Sequence, residues 1–117
     1  MGVPSAGQVV LVPFPFSDLT RTKMRPAVVL AEAGRDDWIL RQITSNPYGD
    51  TRSITLAAHD FSQGNLRVVS YARPGKLFTA NQSLIAQTAG QLNRAAINNL
   101  LGAVIHLLQE NLIKDGH

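Results

Sequence analysis

The chain has 117 residues, which suits one domain with a modest hydrophobic core and is too short for a catalytic domain plus a separate binding domain. Hydrophobic residues make up 44% of the chain and charged residues 16%, a composition typical of a folded protein rather than a disordered one. The formal net charge of +3 would favour a polyanionic partner, but such a small excess is common in proteins that never bind nucleic acid. We therefore expect one folded domain spanning residues 1–117.

The chain contains no cysteine, which excludes disulfides, thiolate zinc sites and a cysteine nucleophile. A reducing cytosol is then the default compartment. The N-terminal residues lack a basic segment followed by a long apolar run, and no stretch approaches ~18 uninterrupted apolar residues. We expect a cytoplasmic protein that does not associate with a membrane.

The first half of the chain predicts β-strands separated by loops. Three runs rich in β-forming residues predict the first strands: Gln8–Phe14, Pro26–Ala31 and Trp38–Thr44. The segment Pro15–Arg25 has little apolar periodicity and predicts a loop between the first two strands. Residues 45–50 predict another loop, so that Thr44 and Ser45 lie where a strand becomes a loop.

The second half predicts shorter strands and then a helix. Short β-like runs are Ser53–Leu56, Val68–Ser70 and Lys76–Thr79, and the turn signals Gly64-Asn65 and Pro74-Gly75 separate them. From Gln91 to Ile113 apolar residues recur at helical spacing, with Asn93 as the expected N-cap. Leu84-Ile85 could belong to a shorter helix opened by Asn81 or Ser83. The pattern predicts a mostly β fold, a small barrel with a C-terminal α-helix.

No residue pattern predicts a metal or nucleotide site. The histidines His59, His106 and His117 are far apart, and the carboxylates are scattered rather than grouped. His59 beside Asp60 could mimic a general base and its orienting group, but adjacent strand residues point to opposite faces, which favours an ordinary loop histidine. The glycine-rich nucleotide motifs and the GxSxG motif of serine hydrolases are also missing. We expect neither a metal nor a cofactor.

The remaining chemistry is a loop rich in cations and hydroxyl groups. Such a set suits RNA cleavage, because ribose carries its own nucleophile and a protein need only position the attack, stabilise the phosphorane and assist proton transfer. Arg25 could bind phosphate oxygens in a bidentate manner, and Thr44 or Ser45 could donate a hydrogen bond to the same phosphate. On residue chemistry alone, a surface arginine capping a loop is a slightly better interpretation of Arg25.

Three segments resemble the MazF/PemK toxins. Residues 7–31 (GQVVLVPFPFSDLTRTKMRPAVVLA) resemble the family's opening, in which a first strand, a loop and an R-P-A/V strand recur. Residues 38–46 (WILRQITSN) are similar to its strand ending in an I-T-S type motif, and residues 70–92 (SYARPGKLFTANQSLIAQTAGQL) are similar to its S-x-x-R-P-x-K-L-F-T segment. Together these segments cover about half of the chain.

The resemblance implies an SH3-like barrel of the MazF/PemK/CcdB type that forms a homodimer. It also implies a toxin of a type II toxin–antitoxin system, neutralised by an antitoxin protein. The implied activity is that of an mRNA interferase, a sequence-specific endoribonuclease that cuts single-stranded RNA independently of metal ions and of the ribosome. Its products carry a 2′,3′-cyclic phosphate or 3′-phosphate and a 5′-hydroxyl group.

The resemblance also assigns residues. Arg25 matches the family's arginine that stabilises the phosphorane at the scissile phosphate or protonates the leaving oxygen. Thr44 matches the threonine that supports this arginine, with Ser45 as the alternative. Phe16, Ser17 and Asp18 match the family's loop that closes over RNA, and Lys76 lies in the matched segment near the dimer groove. Arg21, Lys23 and Asn46 are also expected to bind substrate, and at Arg21-Thr22 this chain departs from the small Gly/Ser pair that relatives often have. Two other functions fit the residues: a non-catalytic toxin of the same fold that binds a protein such as DNA gyrase, and a regulatory barrel that binds nucleic acid without cutting it.

Overall fold

The computed structural model describes residues 3–14, 23–46, 53–66 and 69–112. Within these residues the chain forms strands β1 Gln8–Phe14, β2 Lys23–Gly34, β3 Asp37–Thr44, β4 Ile54–Leu56, β5 Phe61–Gly64, β6 Ser70–Asn81 and β7 Gln87–Leu92, followed by helix α1 Arg94–Gln109. Two short 3₁₀ helices, Ala58–Asp60 and Gln82–Leu84, connect strands. The predicted class, mostly β with a C-terminal helix, is confirmed.

The strands form one antiparallel sheet that curls into a half-barrel, in the order β4-β6-β3-β2-β1-β7-β5. Its two faces bury two separate hydrophobic clusters. One face, here called the helix face, packs residues such as Val28 and Ile43 against Leu100 of α1. The other, here called the second face, buries residues such as Val29 and Leu40. Because each fully buried aliphatic side chain contributes about 1.5–3 kcal/mol, both clusters fix which face every strand residue occupies.

The hairpin of β2 and β3 organises the centre of the sheet. Its turn consists of Arg35 and Asp36, which both have positive φ angles, 54° and 65°. Positive φ at both central residues matches the right-handed twist of the flanking strands, and the register shifts twice between this turn and the pair of Val29 and Leu40. The hairpin pairs Ala27 with Gln42 and Val28 with Arg41.

Several predicted boundaries are confirmed. Strand β1 occupies the predicted residues, and β3 begins one residue before the predicted start at Trp38. Asn93 caps α1, since its side-chain oxygen accepts a hydrogen bond of 2.9 Å from the backbone N–H of Ala96. The shorter helix predicted near Leu84 is a 3₁₀ helix, in which the Asn81 side chain accepts from the N–H of Ser83.

The predicted end of the loop before the second strand, at Arg25, was wrong. Lys23, Met24 and Arg25 belong to β2, because they pair with the last residues of β1. Arg25 lies opposite Val12, so the ladder of backbone hydrogen bonds outweighs the weak strand propensity of this basic segment. Arg25 is therefore a strand residue rather than a loop residue.

The predicted break at Pro74-Gly75 was also wrong. Both residues lie within β6, which runs from Ser70 to Asn81 as one strand. The register changes there, from Ile43 paired with Ala72 to Arg41 paired with Leu77. Four residues of β6 (73–76) therefore lie opposite the single residue Gln42, and this bulge accommodates a proline that a regular ladder excludes.

Strands β5 and β7 were not predicted. Their sequences, FSQG and QTAGQL, are mostly polar and lack the alternation of a half-buried strand. They form because β7 pairs with β1, and β5 pairs with β7 at the edge of the sheet. Tertiary pairing overrides local preference in both segments.

Helix α1 contacts the sheet mainly through its first half. Ala96, Ile97 and Leu100 are buried, whereas Leu108 and Leu112 from the predicted apolar stripe are 60% and 67% exposed. The helix ends at Gln109, before the predicted end at Ile113. Among the described residues, no helix is long and apolar enough to span a membrane.

Candidate functional site

Arg25 and Thr44 lie on neighbouring strands at the open end of the β2–β3 hairpin. Arg25 pairs with Val12 and Ala27 pairs with Gln42, which places Arg25 and Gln42 on the second face. The recorded pairs of the hairpin end at Ala27 and Gln42, and Arg25 and Thr44 each lie two residues beyond that last pair, on the same face. An unchanged register would place them opposite each other, on strands that lie about 5 Å apart. A phosphate group could therefore contact both side chains.

The hydroxyl group of Thr44 is held by the turn that follows β3. Its oxygen accepts a hydrogen bond of 3.2 Å from the backbone N–H of Asn46. Because the oxygen acts as the acceptor in this contact, its own proton is free to be donated to another group. Ser45 is an exposed residue in the bend beyond the strand, whereas Thr44 is half-buried at the last position of β3. The geometry favours Thr44 over Ser45 as the positioned donor.

The side chain of Arg25 is exposed, and within the described ranges no carboxylate forms an ion pair with it. The acidic residues of the same hairpin, Glu32, Asp36 and Asp37, lie at or near its turn. Nine residues of β2 separate that turn from Arg25, or about 30 Å of extended strand. The hairpin carboxylates thus lie near its turn, together with Arg35, and the opposite end of the hairpin, which carries Arg25 and is here called the basic end, suits a polyanion.

A cavity of about 240 Å³ opens beside this basic end. It is lined by Gln42, Arg73, Lys76, Leu77 and Phe78. The cavity exists because the bulge of β6 lifts four residues away from β3 opposite Gln42. Lys76, predicted to bind substrate, is exposed at this cavity, so the structure brings it close to the strand that carries Thr44.

Most of the other predicted substrate-binding residues lie outside the described residues. Phe16, Ser17, Asp18 and Arg21 are in the undescribed segment 15–22. Lys23 is the first residue of β2 and pairs with Phe14, but its side chain is also undescribed. Their predicted roles remain predictions.

Three residues of this region were missed by the sequence reasoning. Gln42 and Arg73 line the cavity, and Tyr71 pairs with Thr44 across β3 and β6. Gln42 could have been found from strand periodicity, since it lies two residues before Thr44 and shares its face. Arg73 could not, because its position depends on the bulge.

Arg41 was also missed, and it has a different role. It is fully buried on the helix face, next to Gln42 in sequence but on the other side of β3. Its guanidinium donates hydrogen bonds to the carbonyl oxygens of Leu100 in α1, at 3.0 Å, and of Ala72 in β6, at 3.4 Å. Arg41 therefore ties the helix to β6 at the residue immediately before the bulge.

The alternative pair of His59 and Asp60 lies elsewhere. These residues are in the 3₁₀ helix before β5, at the opposite edge of the sheet from β4. Their side chains are 3.5 Å apart, but that of His59 is 84% exposed, and Asp60 accepts a hydrogen bond from the backbone N–H of Ala57. The carboxylate thus has a structural role. Among the described residues, no group of three or more histidines and carboxylates could hold a metal ion.

No protein-family model and no curated protein matches the sequence significantly. Solved structures do match the fold. A MazE–MazF complex from Deinococcus radiodurans superimposes with a TM-score of 0.74 at 22% identity, covering 93% of this chain and 98% of that one. An endoribonuclease in complex with its cognate antitoxin from Mycobacterial species gives 0.70 at 14% identity, over 93% and 96% of the two chains. The Mycobacterium tuberculosis toxin MazF-mt6 gives 0.67 at 14% identity, over 87% and 96%. The chain thus has the fold of the MazF toxins, as its resemblance to that family predicted.

Proposed function

We propose that this protein is the toxin of a type II toxin–antitoxin system and a sequence-specific endoribonuclease that cuts single-stranded RNA without a metal ion or the ribosome. The observation that carries the proposal is that Arg25 and Thr44 lie on neighbouring strands, on the same face and at the same end of a MazF-type sheet. An exposed guanidinium and a hydroxyl donor at one end of the sheet can stabilise the charge and position the phosphate for cleavage of RNA by its own ribose.

The proposed reaction is an in-line attack of the 2′-oxygen on the adjacent phosphorus. The P–O2′ bond forms and the P–O5′ bond breaks, while the 2′-proton passes to solvent and the departing 5′-oxygen takes up a proton. Arg25 stabilises the negative charge that accumulates on the phosphorane, because a guanidinium stays protonated and cannot readily act as the acid. Thr44 donates a hydrogen bond to a non-bridging oxygen and orients the phosphate. The products are a 2′,3′-cyclic phosphate, which can hydrolyse to a 3′-phosphate, and a 5′-hydroxyl group.

Two protein partners belong to the proposal. An antitoxin would bind the basic end of the sheet in competition with RNA, as supported by neighbours of the same fold that are complexes with an antitoxin. A second copy of the chain would cover the apolar side chains that α1 and the residues after it leave in solvent. Ile105, Leu108 and Leu112 are 54%, 60% and 67% exposed, and burial of such residues favours a homodimer.

The test is cleavage of a long single-stranded RNA in EDTA by the purified protein free of antitoxin. We expect discrete cuts, 5′-hydroxyl ends, and no cleavage of an RNA whose 2′-oxygens are methylated. A folded protein that leaves every RNA intact would overturn the proposal. Salt-dependent binding to intact RNA would then indicate a nucleic-acid-binding barrel, and toxicity that survives loss of both Arg25 and Thr44 side chains would indicate a protein target such as DNA gyrase.

A further inference from the structure

We propose that the cavity beside Gln42 is a nucleobase pocket and that Gln42 determines which base is accepted next to the cleaved phosphate. This inference rests on the proposed RNA-cleaving function and deepens it, because it assigns sequence preference to one side chain. The shape of the cavity, the chemistry of its lining and its position relative to Thr44 all suit a nucleobase.

The shape follows from the bulge of β6. Since residues 73–76 lie opposite Gln42 alone, the sheet opens at this point instead of closing over β3. The resulting space of about 240 Å³ can take one planar aromatic base. Gln42, whose side chain is half-buried, pairs with Ala27 of β2, and its chain neighbours Arg41 and Ile43 pair with β6, so the backbone that carries its amide is held by rigid elements.

The lining combines the groups that recognise a single-stranded nucleotide. Phe78 offers an aromatic surface, and bases stack on such rings in single-stranded RNA recognition. The Gln42 amide has both donor and acceptor groups and can form two hydrogen bonds with one base edge. Arg73 and Lys76 add positive charge for the flanking phosphates. An acidic peptide would use the two cations but not the combination of an amide and an aromatic ring.

The position matches one nucleotide step. Gln42 and Thr44 are two residues apart on one strand and face the same side, so their Cα atoms are separated by about 6.5 Å. A nucleotide whose phosphate lies between Arg25 and Thr44 can therefore place a neighbouring base in the cavity. Base selection at Gln42 would then be coupled directly to the register of the cut.

Substitution of Gln42 tests the inference. Gln42→Leu removes both hydrogen-bonding groups, and we expect the preference at one nucleotide position near the cut to fall by about 5- to 150-fold, the range of one bidentate base contact. Gln42→Glu replaces the donor with a second acceptor, and guanine presents two N–H donors on its Watson–Crick edge. We therefore expect that position to shift towards guanine. Gln63→Leu, an exposed glutamine on β5, is the matched control.

The readout is the set of cut sites mapped over a long RNA, together with the affinity for 2′-O-methyl oligonucleotides of A, C, U and alternating G-U, which cannot be cleaved. A change confined to one position for both Gln42 variants, absent in Gln63→Leu, supports the pocket. A uniform loss of cleavage with the same cut-site sequence, as expected for a site that binds only phosphate or peptide, overturns it. If the wild-type protein cuts no RNA, the proposed function fails, but the affinities for the 2′-O-methyl oligonucleotides still test the pocket. A wild-type preference for one base that Gln42→Leu loses supports the pocket. Equal wild-type affinities for all the oligonucleotides overturn it.

Discussion

Arg41 provides a stringent test of how the sheet and the helix are held together. The substitution Arg41→Ala removes a hydrogen bond of 3.0 Å to the Leu100 carbonyl and a longer one of 3.4 Å to the Ala72 carbonyl. A hydrogen bond from a charged donor contributes about 1.5–3 kcal/mol, and the longer contact contributes less. Truncating a large buried side chain adds about 2–5 kcal/mol for lost packing. The variant no longer has to bury a charged guanidinium, and this saved desolvation cost offsets part of the loss. We therefore expect the free energy of unfolding to fall by about 3–5 kcal/mol.

Two further variants separate the causes. Arg41→Met keeps most of the volume and removes the buried charge, so its loss should be only about 0–2 kcal/mol. Arg94→Ala removes an exposed arginine at the start of α1, where a cation gains nothing from the helix dipole, and should stay within about 0.5 kcal/mol of wild type. Urea denaturation followed by circular dichroism measures all three. An Arg41→Ala protein as stable as Arg94→Ala would refute the assignment of Arg41 as the tie between α1 and β6.

Substitutions at three further positions test the local structure by the same measurement. Asn93→Ala should lower the free energy of unfolding by about 1–2 kcal/mol because it removes both the N-cap bond to Ala96 and the bond from the Asn93 amide to the His59 carbonyl oxygen, and Asn93→Asp, which keeps only the N-cap bond, should recover part of that loss. Gly64→Ala should lower the free energy of unfolding by more than about 2 kcal/mol, because φ is +68° and the new Cβ would overlap the Ala89 carbonyl oxygen. Gly102→Ala should instead stabilise α1 by about 0.5–1 kcal/mol, since nothing lies within 4 Å of the new Cβ. A stabilising Gly64→Ala or a destabilising Gly102→Ala would contradict the backbone geometry described above.

Local signals were enough to predict the elements with strong patterns. The β-branched run of β1 and the N-cap at Asn93 produce their structures through short-range forces, and both were confirmed. The polar strands β5 and β7 have no such signal, because they depend on pairing with distant partners. The same holds for β6, where a proline predicted a break and long-range pairing instead produced a bulge.

The site was predictable only in part. The resemblance to the MazF/PemK toxins pointed to Arg25 and Thr44, and both lie just beyond the last recorded pair of the hairpin, on the same face. The cavity at Gln42 could not be predicted, because it arises from four residues of β6 that lie opposite one residue of β3. The burial of Arg41 was equally hidden, since an arginine in a strand is normally expected to face solvent.

The most direct test of the central claim compares single-turnover cleavage of one mapped RNA site, in EDTA, by wild type, Arg25→Ala and the control Arg94→Ala. Removing one preorganised group that stabilises transition-state charge typically lowers the rate by about 10²–10³-fold. We expect that loss for Arg25→Ala, with an unchanged circular dichroism spectrum because its side chain is exposed, and a wild-type rate for Arg94→Ala. A folded Arg25→Ala protein that cuts the RNA at the wild-type rate would contradict the account.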